Sequence, residues 1–301
     1  MLNKMLLRNV KFEERSIVVN GDALIGSNSK VDYGIIAKKI FAGERVEIGG
    51  DLIGEEIRID SFSAISGDVV SKADAFIGEF VAIEGKLTVF GDLEIGRNVR
   101  IKNGFEARGL ITIQNPASVV FFILLYILLL LRLGKVEELQ IPEEELNPSF
   151  ILPEKTIITA TKISTTKNAD IYDCRILGNL RARDVYISRS EVFGSVRGRE
   201  VILDSTRVHG YVRGATIYLL NSSVVGTHVM GKRVYMEKGC IVDGGIIAEE
   251  GVWIRDAIVL KTDIGEGSGV GQGEVQEDVS ESILRDGGET DSDGSGSLRS
   301  V

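Results

Sequence analysis

The chain has 301 residues, 44% hydrophobic and 26% charged, enough to bury a core and to hold two domains. Its net charge of -9 lies almost wholly in residues 262–301, where ten Asp or Glu face two Arg, so no basic nucleic-acid footprint remains in the body of the chain. Two cysteines, Cys174 and Cys240, are too few for a disulfide framework, and two histidines without CxxC or HxxxH spacing leave metal binding unsupported.

Residues 1–16, MLNKMLLRNVKFEERS, carry too many charges for a signal peptide and read as an arm or a cover for the first coil of a β-solenoid. From Ile17 to Gln114 the chain alternates apolar and polar residues with a period that a helix cannot keep. Residues 67–114 divide into hexads (GDVVSK, ADAFIG, EFVAIE, GKLTVF, GDLEIG, RNVRIK, NGFEAR, GLITIQ) whose third position is always apolar and whose fifth is apolar in all but the first. Three hexads make an 18-residue triangular coil. Residues 17–114 are therefore expected to form a first β-solenoid segment of five or six coils.

At Asn115 the pattern stops. Asn115-Pro116 suits a helix start, and Val119 to Leu131 are apolar without interruption, before Arg132, Leu133 and Gly134. The segment 115–134 is expected to be an apolar helix of roughly 27 Å between residues 116 and 133, just short of a ~30 Å hydrocarbon core. Apolar all round, with Val119, Phe121, Phe122, Leu125, Tyr126 and Leu129 among its contact residues, such a helix spans a membrane, anchors at its surface, pairs with its counterpart in another subunit, or is buried within its own chain. Residues 135–155, with Pro142, Pro148, Pro153 and a run of glutamates, read as a linker.

Residues 156–261 resume the solenoid with three near copies of one 16-residue phrase: GNLRARDVYISRSEVF, GSVRGREVILDSTRVH and GYVRGATIYLLNSSVV. Counted from Gly178, Gly194 and Gly210, the apolar columns are Leu180, Val196 and Val212; Val185, Val201 and Ile217; Ile187, Leu203 and Leu219; and Val192, Val208 and Val224. Cys174 falls in a small-residue column with Ser190, Thr206 and Ser222. The next coil carries an insertion and supplies Val234, Met236 and Ile241; the last is registered on Gly245 with Ile247, Val252, Ile254 and Val259. The Gly, Ser and acid-rich tail 262–301 reads as disordered. The fold class is thus all-β: a parallel β-helix in two segments interrupted by one long apolar α-helix.

Between the inward strand positions of the second segment runs an outward aromatic ladder, Tyr186, Tyr218, Tyr235 and Trp253, with Ile202 among them. It is either a lateral contact or plain cross-strand stacking. Arg181, Arg197 and Arg213 form a basic column, which is either a solvated face partly paired with the nearby Asp184 and Glu200 or a contact for anionic lipid headgroups. No phosphate loop, nucleophile elbow or paired-carboxylate motif appears, so no cofactor, small-molecule substrate or catalytic residue is expected. His209 and His228 raise the alternative of a hexapeptide-repeat acyltransferase, but neither lies in the hexad half and no long loop interrupts the N-terminal coils.

The repeated GxVRGxxVxL phrases and VFGDLEIGRNVRI resemble the bactofilins, the polymer-forming cytoskeletal proteins, over most of 160–260 and more loosely over 17–114. That resemblance implies a right-handed parallel β-helix that stacks end to end into non-polar filaments, often on a membrane, without nucleotide. Independently, a solenoid exposes unpaired strand edges and a core cross-section at its end coils. Ile17 and Val19 at one end, and Ile254 and Val259 at the other, are the expected assembly residues. The chain is expected to be cytoplasmic, membrane-associated and partnered by copies of itself.

Overall fold

The computed structural model describes residues 4–113 and 148–258, and every regular element among them is a β-strand. The strands wind into a β-solenoid of about 12 turns. One face is a 12-stranded sheet running from Phe105–Ala107 at one end to Ile241–Val242 at the other. Inward residues stack in files. In the first half Ala23, Ile40, Ile57, Ala75, Leu93 and Ile111 face one another at steps of 17 and then 18 residues. In the second, Met5, Ala169, Val185, Val201, Ile217, Val234 and Val252 do the same, at 16-residue steps through the middle. Branched side chains dominate these files because they pack well on a pleated surface, and each interior member is sealed by the one above and below.

Corners explain the glycines and the left-handed residues. Arg189 and Ser205 turn the second half with φ near +46° and +49°, and Phe62 and Phe80 do so in the first at +62° and +57°. The small-residue file follows this corner: Ser190 Oγ accepts from the Cys174 amide at 3.0 Å and Ser223 Oγ accepts from the Thr206 amide at 3.2 Å. At another corner a β-carbon on Gly194 would stand 2.5 Å from the Gly178 carbonyl carbon, so the chain can approach itself only without a side chain there. The following residue closes that corner, the Ser195 amide donating to Asn179 Oδ1 at 2.8 Å.

The halves meet at a central seam where strand direction reverses. Strand Pro148–Leu152 lies parallel to Asp22–Ile25 of the first half but antiparallel to Lys4–Arg8, which is parallel to Asn168–Tyr172 of the second. Two hairpins make the same reversal on the other faces: Val10–Phe12 against Ser16–Val19, and Ile157–Thr159 against Lys162–Ser164. Each half therefore sends its first two strands across the seam onto the stack of the other. Both strand direction and stacking direction invert, which relates the halves by an approximate two-fold axis perpendicular to the rod, through the Leu6–Ile151 pair. From the seam each half grows outward to its own tip.

Several expectations are corrected. Residues 4–12 are not a cover at a tip but two strands in the middle of the rod. Ile17 and Val19, expected at an open end, are 0% and 5% exposed, paired with Phe12 and Val10 across the seam. The linker ends early, because Pro148–Leu152 is a strand; its proline starts that strand next to a register shift, where a missing amide is tolerated. The inserted residue of the penultimate coil lies at Asn221-Ser222, both with φ above +45°. Consequently Ser223, not Ser222, follows Thr206, and Val225, not Val224, follows Val208. Likewise Ile246 and not Ile247 continues the file of Val212 and Val229. The apolar helix expected over 115–134, with Val119, Phe121, Phe122, Leu125, Tyr126 and Leu129, lies outside the described residues, as do Val259 and the tail 262–301. Among the described residues no helix is long and apolar enough to cross a membrane.

Candidate assembly surfaces

The two tips are the places where the inward files run out. In the first half, Leu93 is 0% exposed and Ile111, next in its file, 48%; Ile113 reaches 70%. In the second, Val234 is 0% exposed and Val252 41%, with Ile254 at 62%. Phe105 joins the first tip by the same logic, following buried Leu87. These are core residues by type and by register, exposed only because no further described coil covers them. Ile254 stands where the sequence pattern puts it. Phe105, Ile111 and Ile113 are tip residues that the sequence pattern does not mark, although the end of the hexad run at Gln114 is a signal for them.

The aromatic ladder exists as one register file: Tyr186, Ile202, Tyr218, Tyr235 and Trp253. Tyr235 lies between Tyr218 at 5.0 Å and Trp253 at 4.9 Å, rings nearly parallel. Ile202 and Tyr218 are 7% and 3% exposed, so the middle of the ladder is buried, and desolvation pushes the Tyr218 phenol up to about 12. Its last ring, Trp253, belongs to the terminal coil.

Arg181, Arg197 and Arg213 also form one exposed file. Beside it Arg199 holds Asp184 with two bonds of 2.9 Å, which raises the Arg199 pKa. Burial, and then the Asp184 charge, raise the pKa of Glu200. Gly198, Gly214 and Gly231 floor a groove of about 510 Å³ whose walls include Arg197, Arg199, Arg213 and Lys232.

The histidines have structural partners. His209 stacks on Phe193 at 4.6 Å with Nε2 2.9 Å from Glu191 Oε1, and His228 Nδ1 accepts from the Gly245 amide at 2.9 Å. Cys174 is buried, its thiol pushed up to about 11 by desolvation, and Cys240 is likewise a buried free thiol raised by burial. Among the described residues no group of three His, Cys, Asp or Glu is placed to hold a metal ion. Comparison with family models, with curated proteins and with solved structures finds no match to this chain in any of the three.

Proposed function

We propose that this chain is a non-enzymatic structural protein that assembles with copies of itself through the tips of its rod, a scaffold of the bactofilin kind built as a right-handed β-helix. The observation that carries this reading is the pair of exposed core cross-sections, with Ile113 70% and Ile254 62% exposed at opposite ends of an otherwise sealed interior. A solenoid tip of this kind is stable in water only when covered, and another coil of the same shape covers it best. The seam supplies a precedent, since two coils already meet there face to face within one chain. Association with a membrane, through the apolar sequence 116–133 and with Arg181, Arg197 and Arg213 toward anionic headgroups, belongs to the same proposal.

Electron microscopy and sedimentation velocity of the purified full chain test it. Rods that lengthen with protein concentration are expected. Monodisperse monomers at all concentrations and salts would overturn it. Co-sedimentation with vesicles containing anionic lipid tests the membrane part separately.

A further inference from the structure

Because each half runs outward from the seam, both tips present the same sense of winding to the outside. Two tips brought together must therefore meet with their strands antiparallel, as the halves do at the seam. Topology leaves three junctions open: first tip to first tip, second to second, or first to second.

Charge separates them. The last described coil of the first half, residues 97–113, carries Arg97, Arg100, Lys102 and Arg108 against Glu106, a net of +3. The last of the second half, residues 237–256, carries Glu237, Asp243, Glu249, Glu250 and Asp256 against Lys238 and Arg255, a net of -3. Joining like tips would bring like charges to strand spacing, about 4.8 Å, where they repel; joining unlike tips pairs them with opposite charges. Coil size agrees. The second half winds at 16 residues per turn through its middle but widens to 17 and then 18 on approaching its tip, in the steps from Ile217 to Val234 and from Val234 to Val252. The first tip has the same 18-residue step, from Leu93 to Ile111.

We infer that the first tip of one copy docks on the second tip of the next, through an antiparallel, charge-complementary junction. This rests on the self-assembly reading above and departs from the non-polar filament that the bactofilin resemblance implies: strand direction still reverses at every junction, but because the two halves differ, a heterologous junction repeats head to tail and gives the filament a direction, whereas joining like tips would not. Phe105, Ile111 and Ile113 of one copy then close over Val252 and Ile254 of the other.

Two charge-reversal variants test the inference in the full chain: Arg100→Glu with Arg108→Glu at the first tip, and Asp243→Lys with Glu249→Lys at the second. All four positions are exposed. Each variant alone is expected to form junctions on the order of tenfold weaker than the unaltered chain, while an equimolar mixture of the two recovers assembly because every junction again unites opposite signs. Variants that assemble alone as well as the unaltered chain, or a mixture that fails to recover, overturn the inference and leave self-assembly standing. An unaltered chain that stays monomeric, for instance because residues beyond Ile113 or Ile258 cover the tips of their own molecule, overturns both. Salt gives a check that needs no variant: assembly weakens between about 0.05 M and about 0.5 M salt, and salt-independent assembly counts against the junction.

Discussion

The seam and the tips are built from the same kind of coil, yet among the described residues one is sealed and the other open. At the seam Phe12 faces Ile17, and Leu7 faces Phe150, with Leu7, Ile17 and Phe150 each 0% exposed. At the tips Ile113 and Ile254 point into the same kind of interior and are mostly exposed. Residue type does not separate the two places; only the presence of a next coil does. The seam also carries a charge lock, Lys4 Nζ to the nearly buried Asp170 at 2.7 Å, that holds the exchanged N-terminal strand in register. A solenoid stabilised only between nearest turns would be weakest where its winding reverses. Exchanging two strands across the reversal ties both halves together there.

Mutations can break this comparison. Phe150→Ala at the seam should destabilise the fold by about 3–5 kcal/mol, since a fully buried aromatic is replaced by a cavity between two halves that both need it. Urea unfolding followed by circular dichroism measures this, and a loss below about 1 kcal/mol would show that the seam relaxes as freely as a tip. Gly194→Ala, away from both places, should cost about 1–3 kcal/mol, because the added methyl meets backbone of the preceding coil 2.5 Å away. Ile113→Ala should change monomer stability by less than about 1 kcal/mol, its side chain being already exposed, while weakening end-to-end association in sedimentation. Smallest of all, cutting the chain between residues 114 and 147 should leave elution in gel filtration unchanged. The two pieces stay joined by the strand pairs of the seam, and separate elution of residues 4–113 and 148–258 would contradict the exchanged pairing.

Much of this was legible in the chain itself. Val185, Val201 and Ile217 read as one column and are one column, because a repeat that buries one side of every strand leaves its period in the apolar pattern. The 18-residue step of the hexads and the glycine corners were readable for the same reason. The displaced insertion was not. Asn221-Ser222-Ser223 offers two serines to one small-residue file, and only the φ of Ser222, +59°, shows which one sits in the turn. The strand Pro148–Leu152 was hidden by its proline and its acidic surroundings, and the hairpin at Glu13–Arg15 by the absence of any glycine. The ladder was legible as a file, but its burial was not, since an outward position is covered by neighbours that the repeat does not name.

Sequence alone determined the repeat: the inward columns of the three 16-residue copies, such as Val185, Val201 and Ile217, and the 18-residue turn of the hexads. Alternation of apolar and polar residues dictates these, and alternation looks the same whether the next strand runs parallel or antiparallel. For that reason the direction of stacking, the crossing of the first strands over the seam, and the identity of the open tips were decided only in three dimensions, where a strand must choose the neighbour it pairs with.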